Sequence, residues 1–164
     1  MSVTVRELRC TPEDVFAVLG NGWLYPAWVV GASRMREVEE NWPAQGSHLF
    51  HSFGTWPVLI DDDTVVEEVD APRHLVIRAK GWPVGEARVT MDVKRRGRGC
   101  VVRMQEEAVA GPGLLVPRFL MDIMLHWRNT EALRRLAYLA EGMAPSPEHP
   151  TTADRELHRP EGSP

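Results

Sequence analysis

The order of patterns along the chain predicts an α+β domain, built from an antiparallel sheet of about seven strands and a single long C-terminal helix. Six strand-length runs follow one another between Ser33 and Val109, separated by Pro, Gly or charged turns. No connection between them is long enough for a crossover helix, so neighbouring strands must run antiparallel. The last periodic stretch, Pro117 to Met143, has the length of roughly six or seven helical turns. With 164 residues, 43% of them apolar and 26% charged, the chain has the balance of one water-soluble domain. A chain of this size buries roughly 70% of its unfolded surface, enough for one real core.

Taken in order, Val3 to Leu8 alternates only weakly (Val3, Val5, then Leu8 out of phase) and reads as an edge strand. Thr11-Pro12-Glu13-Asp14 reads as a helix start, with Thr11 as N-cap, Pro12 at the first helical position and Asp14 at the third. Val15, Phe16, Val18 and Leu19 form its apolar side, and Gly20-Asn21-Gly22 stops it. Trp23 to Val29 is densely aromatic around Pro26, which suits a short broken helix. The strands are then 33–40, 47–53, 64–69, 74–80, 86–95 and 100–109. After the long helix, PSPEHPTTADRELHRPEGSP holds prolines and charges and almost no large apolar residue, so it cannot offset its own ordering entropy. The expected organisation is a domain over residues 1–144 and a disordered tail over 145–164.

Charge and composition exclude several function classes. A net charge of -4 does not suit a phosphate-binding surface, and the basic cluster Lys94-Arg95-Arg96-Gly97-Arg98 falls in an apparent hairpin turn, where a solvated loop is expected. No nucleic-acid partner is therefore expected. No apolar run approaches the roughly 20 residues that span a bilayer, and MSVTVRELRC lacks the form of a signal peptide, so the expectation is a cytoplasmic protein without membrane insertion. Cys10 and Cys100 have no CxxC spacing and read as reduced thiols. Asp61-Asp62-Asp63 lacks the ligand spacing and glycine of a calcium loop and reads as a solvated turn. No nucleophile elbow, phosphate-binding glycine loop, dinucleotide fingerprint or HExxH occurs, and neither metal nor cofactor is expected.

Several local patterns go beyond element order. They are Thr11-Pro12-Glu13-Asp14-Val15-Phe16 after the first strand, Trp28 near the end of the second short helix, and Trp42-Pro43-Ala44-Gln45-Gly46-Ser47 before the third strand. Glu68-Val69-Asp70-Ala71-Pro72-Arg73-His74-Leu75 lies between strands, Gly111-Pro112 precedes the helix, and Arg128-Asn129 with Leu133 and Leu136 lies within it. With the element order, these resemble the START-like, Bet v 1-like (SRPBCC) superfamily, in particular bacterial polyketide cyclase/dehydrase relatives, over about residues 1–143. The resemblance implies a helix-grip fold: a curved antiparallel sheet of about seven strands wrapped around the long helix, two short helices after the first strand, and a cavity between sheet and helix. No catalytic motif is common to that superfamily, so the likeness speaks to fold far more than to reaction.

The long helix carries the most informative pattern. At about 100° per residue, Leu133, Leu136, Ala137 and Ala140 share a face opposite Glu131, Arg135 and Tyr138. Carried back toward the N-terminus, that face meets Asn129, His126, Leu125 and Asp122, while Leu120, Met124 and Trp127 turn to the wet side. A helix on a solid core has no reason to turn polar groups inward, because an unpaired buried one costs roughly 1–3 kcal/mol. A polar-lined cavity explains the switch. Asp122 and His126, spaced i, i+4, are then candidates for a carboxylate-held imidazole acting as base or hydrogen-bond donor. A satisfied structural histidine and a solvated carboxylate fit the same spacing. The apolar stripe needs cover, from the Trp23–Trp28 segment or from a second subunit, so a homodimer is one outcome to test.

Strand alternation supplies further walls. Ala87, Val89, Met91 and Val93 share one face, as do Val102, Met104, Glu106 and Ala108, and Leu75, Ile77 and Ala79. These faces are expected to look inward, with Met91 and Met104 as deformable lining or plain core. Glu106, in register with Val102 and Met104, is either a strand-end carboxylate in water or a buried acid able to partner His126 or a ligand hydroxyl. In the strand 47–53, His48, Phe50 and Ser52 oppose Leu49, His51 and Phe53, and the pattern does not say which set faces in. Phe50 is carried as a candidate lining residue, as are Trp28 and Trp56, the latter in a turn able to close a cavity mouth, with Trp82 in the next hairpin.

The function expected first is binding or transport of a hydrophobic small molecule such as a lipid, polyketide or aromatic metabolite. A cyclase, aromatase or dehydratase using Asp122, His126 or Glu106 is the alternative. A protein-interaction module using the Leu120/Met124/Trp127 stripe is the third reading.

Overall fold

Period-two alternation commits each strand to one buried side, and in the computed structural model, which describes residues 2–55, 57–81, 85–111 and 117–144, seven such strands form one curved sheet. They are β1 (Ser2–Leu8), β2 (Ala32–Val38), β3 (His48–Thr55), β4 (Val58–Asp70), β5 (His74–Gly81), β6 (Gly85–Arg96) and β7 (Gly99–Ala110). Helices α1 (Pro12–Leu19) and α2 (Tyr25–Trp28) follow β1, and α3 (Arg118–Met143) ends the described chain. The sheet order is β1-β7-β6-β5-β4-β3-β2, every neighbouring pair antiparallel. The chain crosses through α1 and α2 from one sheet edge to the other, then meanders back until β7 pairs with β1. Helix α3 packs against β1, β7, α1 and α2. This is the helix-grip architecture expected from the element order.

Local chemistry accounts for the first crossing. Thr11 caps α1 in a capping box: its hydroxyl accepts from Asp14 N at 3.3 Å, and Asp14 Oδ2 accepts from Thr11 N at 2.8 Å. The aromatic segment is a 3-10 turn, Gly22–Leu24, running into the single turn of α2, with Tyr25 and Trp28 buried. Gly31 holds a φ of +101° against the Phe53 ring; a Cβ there would come within 2.2 Å of Phe53 Cζ, so the α2–β2 link requires glycine.

The inner face is a ladder of cross-strand rungs. Leu75, Met91 and Met104 face one another across β5, β6 and β7; Ile77, Val89 and Glu106 form the next rung, and Ala79, Ala87 and Ala108 the one after. Apart from the half-buried alanines, these side chains are buried, as alternation predicts. Elsewhere on the sheet, Glu67 of β4 pairs with both Arg78 of β5 and Arg88 of β6.

Two sequence expectations change. β4 begins at Val58, well before Thr64, so Asp61-Asp62-Asp63 lies in a strand and not in a turn. Charge pairing makes acids tolerable there: Asp61 accepts from Ser52 Oγ at 2.9 Å, and Asp63 pairs with Lys80 and with His48 at 3.4 Å. The basic run does sit at the β6–β7 hairpin, where Arg95 meets Glu13 at 2.8 Å and Arg96 pairs with Glu7. Cys10 and Cys100 are buried free thiols, and burial pushes Cys10 up to about 12. The expected tail, residues 145–164, lies outside the described residues, as do Trp56 and Trp82.

Candidate functional site

The ladder also makes the cavity. Its third rung is all alanine, and beyond Ile77, Val89 and Glu106 these short side chains line open space. α3 roofs that space with Leu125, Arg128, Asn129 and Ala132; Tyr25, Trp28 and the residues after α2 close one flank, and His51 and Phe53 of β3 another. The volume is about 110 Å³, measured to the centre of a water-sized sphere. One water needs only ~10–15 Å³ on that measure, so the chamber has room for a small organic molecule.

Most of the wall is apolar, but three polar side chains on it are almost fully buried and incompletely bonded. Glu106, 1% exposed, pairs through Oε1 with Arg128 Nη2, while its Oε2 has no hydrogen-bond partner in the protein. Asn129, 2% exposed, has no partner for Nδ2. Its side chain lies close enough to Glu106 to favour the ionised carboxylate through a weak hydrogen bond, which leaves Nδ2 without a well-formed partner. His51, 1% exposed, contacts Thr64 Oγ1 through Nε2 at 3.1 Å, and Tyr25 Oη lies 3.0 Å from the same hydroxyl; His51 Nδ1 has no partner.

Burial governs the protonation of these groups. It raises the Glu106 carboxyl above its ordinary value, with Arg128 the principal opposing influence. It also lowers the His51 imidazole, against the opposing pull of Asp62 and Asp63, and pushes Tyr25 up to about 12. The chamber wall thus carries an acid and an imidazole that burial pushes toward their neutral forms, with Arg128 holding the Glu106 carboxylate against that push. Among the described residues no group of His, Cys, Asp and Glu is placed to hold a metal ion.

Of the residues singled out from sequence, Trp28, Ile77, Met104, Glu106, Leu125 and Asn129 meet around this space. Met91 is fully buried but one rung away, packed in the solid core. Phe50 is on the other side of β3, its ring stacked on His48 at 6.0 Å, because Leu49, His51 and Phe53 take the inner face. Asp122 and His126 do not point into the chamber. They border a shallow depression with Ser2, Val3, Ile123 and Trp127, and His126 Nδ1 lies 3.5 Å from Thr4 Oγ1. The inward extrapolation fails because β1 is the sheet edge, so that flank of α3 looks past the last strand. Leu120, Met124 and Trp127 are exposed, as the pattern predicts, with Met124 bordering the chamber.

Sequence reading missed Arg128, Tyr25 and Phe53 as wall residues. The signal for Arg128 was present: an acid such as Glu106 on an apolar strand face needs a cation on whatever packs over it.

A curved seven-stranded sheet gripping one helix over a polar-ended chamber defines a helix-grip domain with a ligand-sized interior. The chain belongs to the family described as "Polyketide cyclase / dehydrase and lipid transport", which it matches over residues 2–141. Solved structures share the fold at low identity. A protein from Nitrosomonas europaea superposes with a TM-score of 0.65 at 16% identity, covering 85% of this chain and 93% of that one. A protein from Rhodobacter sphaeroides gives 0.64 at 19% identity, covering 87% and 93%. The di-domain ARO/CYC StfQ from the steffimycin biosynthetic pathway gives 0.66 at 14% identity, with 85% of this chain on 50% of that one. No curated protein matches the chain in sequence. Among the described residues no helix is long and apolar enough to cross a membrane.

Proposed function

We propose that the chain binds a small, largely apolar molecule inside this chamber, as a carrier or binding protein. The observation that carries the reading is an apolar space lined by Glu106, Asn129 and His51, each of which holds one buried polar atom without a partner: Oε2, Nδ2 and Nδ1 respectively. Each unpaired group costs roughly 1–3 kcal/mol, a penalty a bound ligand relieves. Family membership, and the likeness to a di-domain aromatase/cyclase, support a ligand of polyketide or lipid character.

One observation favours a second reading, a cyclase- or dehydratase-type enzyme. Glu106, raised by burial, and His51, lowered by burial, are two titratable groups on one chamber, an arrangement suited to giving and taking a proton. In that reading Glu106 is the proton-transfer group, and His126 and Asp122 take no part.

Titration with the neutral fluorophore N-phenylnaphthylamine tests the binding reading. The wild-type chain gives saturable fluorescence, and Met104→Lys, which puts a charge into the wall, weakens it by about tenfold or more. Ala108→Phe, which fills the space without adding charge, does the same with the circular dichroism of the sheet unchanged. Full binding by both folded variants contradicts an internal site.

A further inference from the structure

The polar end of the chamber selects among ligands in two independent ways, and this inference rests on the reading that the chamber holds one. The first is charge. Glu106 and Arg128 form an ion pair on the chamber wall, with Glu106 1% exposed and the Arg128 side chain 32% exposed. A ligand carboxylate or ammonium brought there would add an uncompensated charge to a desolvated site, whereas a neutral ligand leaves the pair balanced.

The second is hydrogen-bond complementarity. Glu106 Oε2 is an unpartnered acceptor, and Asn129 Nδ2, beside it, is an unpartnered donor. A hydroxyl satisfies both at once, since its O–H donates to the carboxylate while its oxygen accepts from the amide. A carbonyl or ether accepts without donating, and a hydrocarbon does neither. On the facing wall, Tyr25 Oη can donate to Thr64 Oγ1 and the Thr64 hydroxyl to His51 Nε2, an order in which each hydrogen of the relay finds an acceptor.

We infer that the chamber selects neutral apolar compounds bearing a hydroxyl, alcohols or phenols, over carboxylic acids and over plain hydrocarbons of the same size, with Glu106 and Asn129 as the specificity residues. A matched series tests it: para-pentylphenol, para-pentylbenzoic acid and pentylbenzene, each displacing N-phenylnaphthylamine from the full chain at pH 7, where the acid is ionised. The phenol displaces the probe at a concentration about 3–10-fold below pentylbenzene, the range one net hydrogen bond supplies. It also acts about tenfold or more below the acid.

Asn129→Leu narrows the gap between the phenol and pentylbenzene, since only the donation to Glu106 is left, while leaving pentylbenzene itself within about twofold. Glu106→Gln narrows the phenol–acid gap by strengthening binding of the acid. Equal displacement by phenol and acid, or by phenol and pentylbenzene, overturns the inference while the apolar chamber reading stands. A fluorophore that does not bind at all, with none of the three compounds binding by calorimetry, removes both. Unchanged selectivity in folded Asn129→Leu and Glu106→Gln proteins overturns the assignment of these two residues.

Discussion

Two halves of one helix do opposite work. From Ala132 to Ala140, α3 buries Leu133, Leu136, Ala137 and Ala140 in one cluster with Leu8, Val15, Val18 and Leu19. Arg9 pins that end, its backbone N–H donating to Glu141 Oε1 at 2.8 Å and its guanidinium meeting Oε2 at 3.2 Å. Among the described side chains from Leu120 to Thr130 the same helix buries only Leu125 and Asn129, and Leu120, Ile123, Met124 and Trp127 stand in solvent, Trp127 with 70% of its surface exposed. There the ties to the sheet among the described residues include the Arg128–Glu106 pair and the His126–Thr4 contact. One half is a plug, the other a roof over space, and the boundary falls where the inner rungs shrink from Leu75–Met91–Met104 to Ala79–Ala87–Ala108.

The same truncation in the two halves sharpens the comparison most. Leu136→Ala opens a void in close-packed core and is expected to cost about 3–5 kcal/mol in urea unfolding. Leu125→Ala, whose side chain already borders free space, is expected to cost about 1–2 kcal/mol. Equal losses would mean that the roof is packed as tightly as the plug.

A smaller, pH-dependent effect reads the electrostatics of the roof. The folded state raises the Glu106 carboxyl above its ordinary 4.5, so the folded chain holds this proton more tightly than the unfolded chain does. The stability of wild type relative to Glu106→Gln is therefore greatest below pH 4.5 and falls as pH rises through the folded-state value, with a slope of at most about 1.4 kcal/mol per pH unit. Urea unfolding of both proteins across pH checks the sign; a relative stability that rises over that window would mean that Arg128, and not burial, governs the carboxyl.

The plug was far more legible in the sequence than the roof. Strand alternation placed Val89, Met91, Val102 and Met104 inward because residues two apart must share a face. The capping pattern at Thr11 placed α1 because its hydrogen bonds are local. The roof depends on what lies beside each turn of α3, which helical periodicity does not encode. His126 and Asp122 share an arc with Leu133 and Ala137, yet at their level that flank lies over β1, the sheet edge, beside an open depression and not over the chamber. The inner side of β3 was likewise undecidable, since His48 and His51 make either face equally polar. The choice falls to Tyr25 and Thr64, which receive His51 from elsewhere in the chain. Asp61–Asp63 read as a turn because three acids in a strand require partners, Lys80 and Ser52 among them, that only the folded sheet supplies.

Native mass spectrometry of the purified full chain, beside the same sample denatured, tests the central claim that the roof covers a ligand site most directly. The account predicts an added mass that disappears on denaturation and, for a chain purified empty, a one-to-one complex with para-pentylphenol that Ala108→Phe abolishes. A bare chain that takes up no neutral apolar compound would contradict it.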